Sequence, residues 1–189
     1  MTNKKAAKKT TSNPSWSDVK SRINNFDRAG LIGLIQSLYT ASKENQIFVH
    51  ARLDLTDNVL EPYKKALQRW LWPDVLKDQD ISVSRAKKAI SDYKKALGQP
   101  EELAELMIYY CEQAAGFSQD VGMAGDTWFD AMLRTFEDVL KLVNTLSQDR
   151  RGPFIVRLDK IRRLSHNFGY GVGDEMDYLM AEYGCDGDS

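Results

Sequence analysis

From Ser15 onward, apolar residues recur at intervals of three and four, with polar residues between them. Positions three and four apart share one face of an α-helix, so this spacing predicts helices. Trp16, Val19, Ile23 and Phe26 predict a short first helix. Asp27 is placed to cap the second, whose stripe is Leu31, Leu34, Ile35, Leu38 and Tyr39. Lys43 to Leu53 reads as a third, around Ile47, Phe48 and Ala51. Asp57 is expected to start a fourth, with Leu60, Tyr63, Leu67, Trp70 and Leu71 on one side and Pro73 ending it.

The clearest pattern follows the connector 74–80. Across Ile81 to Leu97, Ala86, Ala89, Ile90, Tyr93 and Leu97 form one stripe, while Arg85, Lys87, Lys88, Lys94 and Lys95 fill the other sides. Gly98 sits where a helix-terminating glycine belongs, and Pro100, Glu101 and Glu102 suit the first turn of the next helix. That helix runs to about Val121 and carries two stripes. One is Leu103, Leu106, Met107, Tyr110, Ala114 and Phe117; the other is Ala104, Ile108, Cys111 and Ala115. A helix apolar on two sides is expected to be central. Asp126 or Thr127 is expected to cap a long helix through Phe129, Leu133, Phe136, Leu140 and Val143. Gly152-Pro153 reads as the next junction, before Phe154, Leu158, Ile161 and Leu164. The loop Gly169-Tyr-Gly-Val-Gly173 leads to a last helix with Met176, Leu179, Met180 and Tyr183.

The period predicts an all-α fold of about eight helices with short loops, a helical bundle or a curved stack of antiparallel helix pairs. The domains expected are a disordered basic tail, 1–14, and a single helical domain, 15–189, with two lobes meeting near 98–100 if it divides at all. At 189 residues, 42% of them hydrophobic, such a chain can bury a sizeable core without staples.

Charge changes the picture more than composition does. The net charge of -1 hides a split: residues 1–100 hold 18 Lys and Arg against 10 Asp and Glu, and residues 101–189 hold 8 against 17. Such asymmetry can steer a charged partner or favour contact with another copy. Interleaving of the halves in space would cancel it. Cys111 and Cys185 form no metal or redox spacing and read as free thiols of a reducing cytoplasm. No apolar core follows the lysines near the N-terminus, so no secretory signal is expected, and no apolar run is long enough to span a membrane.

Three segments, Ile81 to Tyr93, Leu106-Met-Ile-Tyr-Tyr-Cys-Glu112 and Phe168-Gly-Tyr-Gly171, carry a resemblance over about residues 31–183. The chain resembles a family of uncharacterised bacterial helical proteins, a domain of unknown function. The resemblance implies a cytoplasmic bacterial protein and an all-helical fold. It carries over no activity and no catalytic residue.

Three places are candidates for chemistry. The cations Arg85, Lys87, Lys88, Lys94 and Lys95 could lie along a phosphate backbone, with Trp70, Trp72 and Tyr93 as stacking surfaces. The plainer reading is a solvated face over core aromatics, and the pI of about 6.1 argues against an obligate nucleic-acid binder. Gly169, Gly171 and Gly173, with Asp174 at the N-cap, could hold an anion on backbone amides. The plainer reading is a helix–helix turn, because a phosphate fingerprint needs a preceding strand. His166 with Asp174, Glu175 and Asp177 could be drawn as an acid–base or metal set, although no metal-ligand signature is present. His50, in Phe48-Val-His-Ala-Arg52, reads as a packed helix residue. No nucleophile, base and orienter can be assembled, so no catalytic residue, metal or cofactor is assigned. The leading expectation is a non-enzymatic interaction protein that meets a protein partner, or itself, through a groove or charged face. Nucleic-acid binding through the tail and the 82–97 helix comes second, and a small metal-dependent or hydrolytic enzyme near 166–177 third.

Overall fold

The computed structural model describes residues 13–122 and 125–184. Nearly all of the lysine-rich tail, and Cys185, lie outside the described residues. The chain divides into two compact units, residues 1–46 and 47–189. Gly98 and Pro100 fall inside the second.

In the first unit, α1 (Trp16–Ile23) starts on a reciprocal box. The Ser15 side chain accepts from the Asp18 amide, and the Asp18 carboxylate accepts the Ser15 amide at 2.7 Å. The helix stops three residues short of Phe26, which the period had placed on it. Asn24 and Asn25 intervene, and asparagine side chains compete for backbone partners; Asn25 donates to the Ser21 carbonyl at 3.4 Å. α2 (Arg28–Ala41) is capped by Asp27 as its sequence predicts, with Oδ1 accepting the Gly30 amide at 2.7 Å. Ser42 accepts the Asn45 amide at 3.2 Å and opens α3 (Lys43–Arg52), which belongs to the second unit from Ile47 onward.

In the second unit, α4 (Glu61–Leu71) begins after Leu60 and not at Asp57. Pro62 is pre-set for a helical first turn, and Asn58 Oδ1 accepts the Glu61 amide at 3.2 Å. The connector holds a short 3-10 turn, Val75–Lys77. α5 (Val83–Ala96) is capped by Ser82 and ends at Gly98, which takes the left-handed conformation its position predicts. α6 (Pro100–Val121) buries both of its stripes. It packs against α4, α5, α7 (Asp126–Val143) and α8 (Gln148–Ser165), and α9 (Val172–Glu182) rests on α7 and α8. α6 is therefore the axis of this unit, as a helix apolar on two sides must be.

Two junctions differ from the sequence reading. α7 takes Gly125 as its N-cap, so Asp126 lies inside the first turn, where its charge meets the positive helix end. Gly152-Pro153 is not a junction: α8 already runs from Gln148. Proline there, in the second turn, removes the bond to the Asp149 carbonyl, on an exposed side of the helix where water can replace it.

Packing around α6 is close. A Cβ on Gly116 would lie 2.4 Å from the Trp72 ring, so glycine there lets the indole rest on the helix. Phe117 meets Trp72 edge-on at 6.4 Å between centroids and Trp128 at 6.0 Å. The Trp128 indole N–H donates to Ser118 Oγ at 2.9 Å. Cys111 is a buried free thiol, and burial pushes it well above the usual thiol range. Among the described residues there is no strand, and no helix is long and apolar enough to cross a membrane.

Candidate functional site

The basic helix folds as its stripe dictates. Ala86, Ala89, Tyr93 and Ala96 of α5 are buried, and Arg85, Lys88, Lys94 and Lys95 are exposed, with Lys87 half-buried. Tyr93 donates its hydroxyl to Glu102, and burial first, then that carboxylate, holds its phenol above the ordinary range. The cations do not act as one row. The Arg85 guanidinium lies 4.3 Å from the centre of the Trp70 ring, which Arg69 also approaches at 4.4 Å. Lys88 pairs with Asp92 one turn on. Of the five, Arg85 and Lys88 are the two with a ring contact or an ion pair among the described residues. Trp72 and Tyr93 are packed on other side chains, with Tyr63 meeting Tyr93 at 5.4 Å.

The glycine loop places three consecutive residues in the left-handed region: Gly169, Tyr170 and Gly171. Gly171 is the N-cap of α9, so Asp174 is not the cap but a first-turn residue beside Glu175. Two carboxylates thus stand at the positive helix end that an anion would occupy. Phe168 and Tyr170 both pack on Phe129, with centroids at 5.8 and 5.6 Å.

The fold does bring His166, Asp174 and Asp177 together: their donor atoms lie within 4.8 Å of one another. His166 Nε2 is 3.3 Å from the Asp177 carboxylate. The imidazole sits directly on α9, since a Cβ on Gly173 would come within 2.5 Å of Nδ1. One imidazole and two carboxylates could hold a divalent cation. Asp177, however, is already bonded by Arg162, which also takes Asp159, and that guanidinium holds the Asp177 carboxyl below the usual range. A fixed positive charge on one ligand opposes a second cation. The arrangement is best suited to pinning the end of α8 on α9.

A second charged cluster escaped the sequence reading. Arg157 of α8 grips Glu112 through two bonds, at 2.7 and 2.8 Å, and also bonds Glu105, which takes Lys64 of α4 as well. The signal was present: Glu105 and Glu112 stand seven residues apart, on one side of the central helix. The cluster ties α4, α6 and α8 together. A groove of about 500 Å³ between α7 and α9, lined by Asp130, Arg134, Glu137, Tyr170 and Glu175 among others, is open and mixed in charge. Its Glu137 is taken by Lys141 and by the Tyr183 hydroxyl.

The first unit departs most from expectation. The α2 stripe, read as a buried face, is exposed, and neither α1 nor α2 has a buried residue. Leu31, Leu34, Ile35 and Leu38 all face solvent, together with Ile32, Trp16, Val19 and Phe26. Trp16 is 69% exposed, and Ile35 and Leu38 are each 54% exposed. Among the described residues of this unit, the eight-residue α1 leaves the 14-residue α2 without a buried position.

No family model matches the chain, and neither the curated proteins nor the solved structures compared with it give a match.

Proposed function

We propose that this chain is a non-enzymatic helical interaction protein, and that α2 is its docking element. The observation that carries this is the uncovered apolar run of α2. Leu31, Ile32, Leu34, Ile35 and Leu38 lie within one side of the helix, and no residue from Ala29 to Ser42 is charged. Scattered surface apolar residues are ordinary, but a helix of this composition with nothing buried marks an interaction site. The partner is a protein that lays an apolar groove or helix over α2, as amphipathic helices are commonly recognised. This moves the docking element away from the charged face expected from sequence. Arg85 and Lys88 of that face are already engaged within the fold, which weakens the nucleic-acid reading. The His166 set is equally engaged, through Arg162. Membership in a helical bacterial family belongs to the same proposal and adds no activity to it.

Affinity enrichment of the full chain from its native cell should recover a protein, a second copy included, that Ile35→Glu loses at least tenfold. Equal recovery by parent and variant, or none by either after crosslinking, would overturn the reading.

A further inference from the structure

We infer that the occupant of α2 is a second copy of this chain, the two α2 helices packing antiparallel about a two-fold axis. The inference rests on the docking role just proposed and names its partner.

Two observations lead to it, and a third sets how it responds to salt. The first is area. Among its described residues the first unit leaves eight large apolar side chains exposed. At roughly 100 Å² each by their fractional exposure, the five on α2 offer about 500 Å² and Trp16, Val19 and Phe26 about 300 Å² more, so α2 reaches the roughly 800 Å² that one partner contributes to a standard interface only with its α1 flank included. The second is self-complementarity. A two-fold contact sets a patch against itself, so a charged patch repels its own image and an uncharged apolar patch does not. α2 carries no charge after Arg28, and the side opposite its leucines holds only small or neutral residues such as Gly30, Gly33 and Thr40. Antiparallel helices also set each positive helix end beside a negative one. The third is the charge around the patch. Residues 1–46 hold eight Lys and Arg against three Asp and Glu, so two such units repel while their apolar faces attract.

That opposition gives the dimer a signature. Salt screens the repulsion between like-charged units, so self-association tightens as salt rises. A basic unit held on an acidic protein or an anionic bilayer shows the reverse.

The test is light scattering and sedimentation of the full chain over a range of concentrations, at low salt and at roughly 0.5 M salt, where the screening length is only a few ångströms. The expected result is a dimer that tightens several-fold in the higher salt. Leu31→Glu with Ile35→Glu should give a monomer of unchanged helicity. A second pair of variants covers loss of folding. In a Cys185→Ser background, Ile35→Cys near the middle of α2 should form a disulfide across the two-fold axis, and Thr40→Cys on the far side should not. A chain that stays monomeric at every concentration and salt overturns the inference. So does a dimer indifferent to the double substitution, or equal crosslinking at both positions. A monomer that instead sediments with vesicles of anionic lipid overturns it and hands α2 to a membrane surface. Recovery of a different protein through α2, with the chain itself monomeric, overturns this inference and leaves the docking role standing.

Discussion

Replacing Phe117 with alanine is expected to lower the unfolding free energy by about 3–5 kcal/mol, the usual cost of emptying a buried aromatic site. The ring is almost wholly buried on the axial helix and touches Trp72 on one side and Trp128 on the other. Neither neighbour can collapse into the gap. Trp72 lies on the glycine at 116, and Trp128 is tethered by its hydrogen bond to Ser118. Relaxation is therefore limited, which places the cost toward the upper part of that range. Against a typical total of about 5–15 kcal/mol, the loss is large. Urea unfolding followed by tryptophan fluorescence measures it directly, because both indoles report on the same site. A loss under about 1 kcal/mol would mean that the aromatic cluster is not packed as described.

Arg157→Ala is expected to cost about 2 kcal/mol. Removing one partner of a buried ion pair costs about 3–5 kcal/mol, because the other charge stays desolvated. Arg157 is only partly buried, at 27% side-chain exposure, with Glu105 at 23% and Glu112 at 33%, so water screens part of the loss. The pH dependence separates this charge effect from lost packing. At Glu105, burial raises the carboxyl, but the bonds from Arg157 and Lys64 outweigh it and leave the group below its ordinary value. A carboxyl lowered on folding stabilises the fold fully above its unfolded pKa, about 4.3, and that contribution is lost as pH falls through the folded value. The gap between parent and variant should hold from neutral pH down to about pH 5 and narrow below about pH 4. Denaturant unfolding at several pH values measures the gap. A gap that stays constant into strong acid would assign the loss to the arginine stem alone.

The second unit was legible in the sequence because its helices bury what their periods mark. Both stripes of α6 are in the core, and Gly98 ends α5 at the position its chemistry predicts. The errors fall where a local signal is outweighed by context. Pro153 reads as a break, yet the exposed second turn of α8 tolerates it; Asp57 and Asp174 read as caps, yet Pro62 and Gly171 fix the helix starts elsewhere. That Asp174 and Asp177 share a face was legible from spacing, and the structure adds His166 to them within 4.8 Å. The arginine that occupies Asp177 was not legible, since Arg162 lies on the preceding helix and no period links the two. The largest gap concerns α2. Periodicity tells which residues share a face and nothing about whether another element is present to cover it. Leu31, Ile35 and Leu38 carry the same pattern as Leu67 and Leu71, but the latter pair lies under α6 and the former under nothing in its own unit.

The central claim is that the apolar side of α2 is covered by a protein. The most direct measurement introduces a photoreactive side chain at position 38, and separately at position 40, in the full chain within its native cell. Two residues along a helix point to nearly opposite sides, so each position serves as the control for the other. Position 38 is predicted to crosslink to a second protein chain, with little or no adduct from position 40. No adduct at position 38, or equal adducts at both, would contradict the account.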